Sequence, residues 1–277
     1  MKQLIFIALC IFTLVACKPE GVKKEVLETS KKQSSKVDSL ELKLEVIDEE
    51  KLDNGLEIKW IEKSNGESIK AGDVILIDYK VRLADSTIID GNHLLNKPYL
   101  PYMVGFGFQP AGWDLAFEKM RVGDFARIKI PAKLARGDKE VKNLIPKNSD
   151  NYLTIRILSK KAPTKEIDGV KIWLLEENKL QKARFNDKNS IEFFTTASSP
   201  SHPFYFNSYA TNQPFRLKLA DHGIVPGLKK ALINAKKGDR MYIYVPAKEA
   251  YDTKGYLDLV LPNEPIFYNL LVTDILD

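Results

Sequence analysis

The chain has 277 residues, 44% of them hydrophobic and 29% charged, with a net charge of +5. That length suits two ordinary domains, and so mild a charge, with lysines interleaved among carboxylates, argues for a solvated surface and against a nucleic-acid patch. Both cysteines, Cys10 and Cys17, stand near the N-terminus, so the body of the chain has neither a disulfide framework nor a thiol for catalysis.

The first residues read as an export signal rather than as fold. Met1 and Lys2 precede the apolar run "LIFIALCIFTLVA", Leu4 to Ala16, which is shorter than the roughly 20 residues of a membrane-spanning helix. It fits the apolar core of a cleaved signal. "LVAC", Leu14 to Cys17, resembles the lipobox of bacterial lipoproteins, in which the cysteine becomes the lipidated N-terminus. The resemblance implies removal of residues 1–17 and anchoring to a membrane through lipid on Cys17. Lys18 after the cysteine points by the same analogy to the outer membrane of a Gram-negative cell envelope.

Residues 18–50 are charged, Ser-rich and without aromatics, a composition that buries too little to offset the entropy of ordering and predicts a polar tether. Structure is expected from Leu52, where "LDNGLEIKWIE" sets a turn before alternating apolar residues, and "GDVILIDYKVRL" reads as a strand. In "GWDLAFEKMRVGDFARIKIPAK", Gly112 to Lys133, the residues Trp113, Phe117 and Met120 lie on one face of a short helix that Gly123 is expected to stop. "ARIKIP" then alternates into a strand. "GLKKALINAKKGDRMYIYVPAK" repeats this pattern 115 residues later, from Gly227 to Lys248. A shared period of this kind marks two copies of one unit. The expected organisation is a first domain over 51–160, a linker over 161–166 ("KAPTK" at its centre), and a divergent second domain over 167–277. One short helix among several strands in each copy predicts an α+β fold, an antiparallel sheet with the helix on one face.

The quoted stretch resembles the signature of the FKBP-type peptidyl-prolyl cis-trans isomerases, in which a Gly-Trp pair opens a helix and a Val-Gly turn leads to a strand ending in proline. "IIDGNHLLNKPY" and "LIPKNSDNYLTIRI" are similar to that family's pocket stretch and closing strand. The resemblance covers most of 52–160 and, more loosely, 167–277. It implies tandem FKBP-like domains, each a sheet half-wrapped around a helix with an apolar aromatic pocket between them. Carried over position by position, it places Tyr79, Asp90 and Trp113 in the first pocket, with Trp113 as floor and Tyr99 and Ile155 among the substrate contacts. Departures are Ile89 for an aromatic, Arg136 for the usual tyrosine and Ile155 for a phenylalanine. In the second pocket it places Phe206, Phe215, Val225, Tyr251 and Tyr268. Leu228 replaces the tryptophan, Asn207 is taken for the aspartate, and Phe193 or Phe194 for Tyr79. Tyr251 is the one side-chain hydroxyl placed to donate to a bound carbonyl.

What the resemblance implies is isomerisation of X-Pro bonds in exported or unfolded proteins, by a monomer, without cofactor or metal. Such a pocket needs no nucleophile, only a place where a twisted amide is favoured over a planar one. The histidines His93, His202 and His222 stand at no metal-ligand spacing, and no phosphate loop or nucleophile elbow occurs. Two other readings remain open: a holdase whose pockets bind proline-containing segments with little turnover, and a structural lipoprotein with vestigial pockets.

Overall fold

The computed structural model describes residues 44–277; the expected signal, its Cys17 and most of the tether lie outside them. The described chain forms two seven-stranded antiparallel sheets of the same connectivity. The first contains β1 (Asp48–Lys51), β2 (Glu57–Glu62), β3 (Val74–Arg82), β4 (Ile88–Gly91), β5 (Leu100–Met103), β6 (Phe125–Ile130) and β7 (Asn151–Lys160), with helix α1 (Ala111–Phe117) between β5 and β6. Its order is β1-β2-β6-β7-β3-β4, with β5 also paired to β3. The second contains β8 (Lys165–Ile167), β9 (Val170–Glu176), β10 (Ser190–Ser198), β11 (Phe206–Asn207), β12 (Phe215–Leu217), β13 (Arg240–Val245) and β14 (Ile266–Leu276), with α2 (Pro226–Leu232) ahead of β13. Its order, β8-β9-β13-β14-β10-β11 with β12 on β10, reproduces the first strand for strand.

Two strands arise where none was expected. β1 begins inside the predicted tether and β8 inside the predicted linker, each running one residue beyond it and pairing with the strand that follows. Both are short and polar on their exposed faces, so neither announces itself by alternation. The helices are also shorter than the apolar spacing suggested. α1 ends at Phe117, and Met120 is buried beyond the helix. Gly123 instead takes φ +93° in the turn before β6, as Gly238 does at +89° before β13.

The repeated residues have structural reasons. At Gly112 a Cβ would stand 2.3 Å from Ile130 Cγ2, and at Gly227 one would stand 2.5 Å from Val245 Cγ1; only glycine lets each helix lie so close on its sheet. The buried carboxylate of Asp124 accepts hydrogen bonds from Trp60 Nε1 (3.1 Å), the Ser64 amide (2.7 Å) and the Arg121 amide (3.0 Å). Asp239 accepts from the Asn178 and Lys236 amides at 3.0 and 2.9 Å. Each aspartate thereby fastens its turn to the end of the neighbouring strand.

Each sheet wraps a core of its own, and a third apolar cluster joins the two domains. Val74, Met103 and Phe106 of the first domain pack against Trp173, Tyr242 and Phe267 of the second, with Phe108 and Tyr244 at its margin. These second-domain residues occupy the outer face of its sheet, where the equivalent positions of the first sheet are Lys59, Arg127, Tyr152 and Lys129. Around these residues the second sheet is therefore buried on both faces, and there the first domain covers its outer one.

Candidate functional site

In the first domain, α1 carries Trp113 against the concave side of the sheet, with 2% of its surface exposed. Tyr79 of β3 meets its indole edge-on at 5.2 Å, Tyr102 of β5 stacks on it at 5.9 Å and 22°, and Phe117 meets it at 5.7 Å. The helix presents Trp113 to this cluster because its neighbour Asp114 is held to the loop before α1: it accepts from Tyr102 Oη at 2.8 Å and from the Gly107 amide at 3.0 Å. Burial pushes the Asp114 carboxyl up, against the pull of those donors. Asp90 of β4 lies close enough for its charge to act on Tyr79. Burial and then the Asp90 charge push the Tyr79 phenol well above its ordinary range, so it stays protonated. Ile89, Leu100, Leu134 and Ala135 pack around the same core. The structure thus brings Tyr79, Asp90 and Trp113 together.

Two first-domain expectations are corrected. Tyr99 precedes β5 and is 46% exposed, and it is Leu100 that faces Ile77 across the ladder and packs inward. Ile155 is fully buried opposite Tyr79, whereas the register counterpart of Tyr268 is Leu153: Ile128 faces Leu153 as Ile243 faces Tyr268. The wall residue at this position is therefore Leu153.

In the second domain, Val225 caps α2 and Leu228 takes the place of Trp113, both buried, while Phe215 and Tyr251 pack partly buried against the same core. Phe215 contacts Phe193 at 5.6 Å and Phe206 at 6.1 Å. Strand register corrects two assignments here. Val81 faces both Asp90 and Leu153, and Ala197 faces both Phe206 and Tyr268. Phe206, not Asn207, therefore stands where Asp90 stands, and Tyr205 stands where Ile89 stands. Thr195, rather than Phe193 or Phe194, is the counterpart of Tyr79: its amide donates to Ser208 Oγ at 2.8 Å, as the Tyr79 amide donates to Asn92 Oδ1 at 2.8 Å.

This exchange of residues gives the second site a different chemistry. Burial and then its tyrosine neighbours push the Tyr268 phenol up, and burial does the same to Tyr205. Tyr251 is half-buried and stacks on Tyr256 at 4.7 Å and 15°, and burial raises its phenol too. Four tyrosines (Tyr205, Tyr251, Tyr256 and Tyr268) line the site where the first domain has Ile89, Arg136, Val141 and Leu153. Tyr205 and Tyr256 were not identified by sequence reasoning. The signal for Tyr256 was available, because the bridge Tyr256–Val260 repeats Val141–Ile145 at the same spacing of 115.

Neither pocket presents a nucleophile beside a base. Both place buried apolar and aromatic side chains between helix and sheet, with the partly buried Tyr251 beside the second cluster.

The chain is 25% identical to the human peptidyl-prolyl cis-trans isomerase FKBP10 over 206 residues, 74% of this chain and 35% of that protein. It is 26% identical to bovine FKBP9 over 192 residues, 68% of this chain and 32% of that one. FK506-binding protein 4 of Rhizopus delemar is 34% identical over 111 residues, 40% of this chain and 28% of that protein. The chain thus spans about a third of the length of the curated relatives it matches. Among solved structures, the three FKBP domains of wheat FKBP73 align over 81% of this chain and 96% of that one, with a TM-score of 0.40 and 20% identity. The model of the FKBP-type peptidyl-prolyl cis-trans isomerase domain matches residues 65–158 and again residues 182–272. By those two matches, one on each sheet, this chain belongs to the FKBP-type peptidyl-prolyl cis-trans isomerase family.

Proposed function

We propose that the chain is a peptidyl-prolyl cis-trans isomerase of the bacterial cell envelope, anchored at the outer membrane by lipid on Cys17. It would act as a monomer on proline-containing segments of exported proteins. The observation that carries the isomerase reading is the first-domain cluster in which Tyr79 meets Trp113 edge-on and Asp90 lies near Tyr79. An X-Pro bond exchanges over roughly tens to hundreds of seconds unaided, because rotation breaks amide conjugation. An apolar floor that takes the prolyl ring strips water from the imide and favours the rotated, less conjugated amide. Trp113 and Leu100 supply that surface. Tyr251 offers a donor in the second domain.

One feature favours a second reading, a holdase. Around the second pocket Tyr256, Leu257, Leu261 and Phe206 are 44%, 77%, 43% and 38% exposed, an apolar rim suited to extended unfolded segments. A proline-limited refolding assay with the chain separates the two. Acceleration that is lost on Trp113→Ala, or on Tyr251→Phe, identifies the enzyme and the working domain. No acceleration alongside suppressed client aggregation supports the holdase instead. Retention of the Cys17→Ser variant in the membrane fraction would remove the lipid anchor from the proposal.

A further inference from the structure

We propose that the second domain positions the first pocket, acting through Tyr242 and Phe108. This rests on the isomerase reading of that pocket. Rings run in contact from one domain to the other. Tyr79 meets Trp113, Trp113 stacks on Tyr102, and Tyr102 meets Phe108 at 5.9 Å and 85°. Phe108 then meets Tyr242 at 5.7 Å and Phe267 at 6.2 Å. Phe108 packs against both the first core and the cluster between the domains. Tyr242 Oη donates to the carbonyl of Pro101 at 3.2 Å, and Pro101 adjoins Leu100 of the pocket wall. The loop from Val104 to Pro110 is pressed from the same side: a Cβ on Gly107 would stand 2.4 Å from Pro203 Cγ.

The two domains hold this loop differently. In the second, Lys229 of α2 donates to the carbonyls of Leu219 and Asp221, so the helix closes its own loop. The equivalent helix residue of the first domain is Asp114, which can only accept. It ties the Tyr102 hydroxyl and the Gly107 amide, and Phe108 beyond them is packed between Tyr102 and the second domain's Tyr242 and Phe267. The support behind Trp113 is therefore completed across the domain boundary.

The test uses the full chain, an X-Pro peptide substrate and hydrogen exchange over residues 100–117. Tyr242→Ala should lower kcat/KM about tenfold, since small misplacement of a binding surface has effects of that order. It should also speed exchange at Leu100 to Phe117. In a Trp113→Leu background the same substitution should lower kcat/KM no further. Tyr242→Phe keeps the ring, loses the hydroxyl and with it the bond to Pro101, and should cost about threefold, the scale of one hydrogen bond. Equal losses with and without Trp113, or unchanged exchange at residues 100–117, overturn the proposal. If the parent chain shows no turnover, the isomerase reading falls by itself, and exchange still decides the coupling: faster supports it, unchanged refutes it.

Discussion

Replacing Trp113 by leucine would give the first pocket the helix residue that the second domain carries at Leu228. Trp113 makes ring contacts with Tyr79, Tyr102 and Phe117, each worth about 0.5–1.5 kcal/mol beyond area burial. A leucine keeps much of the transfer energy but leaves a cavity, and full truncation of a buried tryptophan costs about 3–5 kcal/mol. The expected loss is about 3 kcal/mol. The second domain fills the same space with Leu228 and Tyr268, so adding Leu153→Tyr should recover roughly half of that loss. Urea titration followed by circular dichroism reads both variants, and peptide isomerisation reads their turnover. If the indole is what the prolyl ring meets, stability returns in the double variant while turnover does not. A double variant less stable than Trp113→Leu would refute the equivalence of the two floors. A single variant with parental turnover would remove Trp113 from the chemistry.

Asp124→Ala orphans three donors and Asp239→Ala two. At about 1 kcal/mol or more for each buried donor left unpaired, the urea midpoint should fall further for Asp124. Gly112→Ala pushes a methyl into Ile130 and should cost about 1–3 kcal/mol as overpacking, seen as a lower melting temperature. Tyr79, Tyr102, Tyr205 and Tyr268 all have phenols raised by burial in the fold. The folded state therefore holds protons that the unfolded chain releases near pH 10. Stability should be intact below that pH and fall as pH rises above it, with a step in tyrosinate absorbance accompanying the unfolding.

The repeat of 115 residues was enough to read two copies and their α+β class, and the β6–β7 and β13–β14 pairs of the structure keep that spacing throughout. It was not enough on β3 and β10. There the spacing is 116, because Tyr79 and Thr195 share a register, and one residue of slip moves a side chain to the other face. That slip accounts for taking Phe194, 115 residues after Tyr79, as its counterpart; Asn207 stands 117 residues after Asp90, one residue off in the other direction. The contact between domains was missed for another reason. Tyr242 and Tyr244 alternate with core residues and so resemble a solvent face. The clue was comparative, since the first copy carries Arg127 and Lys129 there.

That aromatic outer face bears on the order of synthesis. A ribosome releases the N-terminal half first, so Val74, Met103 and Phe106 are already folded into place when Trp173, Tyr242 and Phe267 emerge. The sticky half of the pair is born beside its cover. Reversing the two halves by circular permutation would make the aromatic face wait uncovered, and such a chain should aggregate during expression even though every native contact remains available to it.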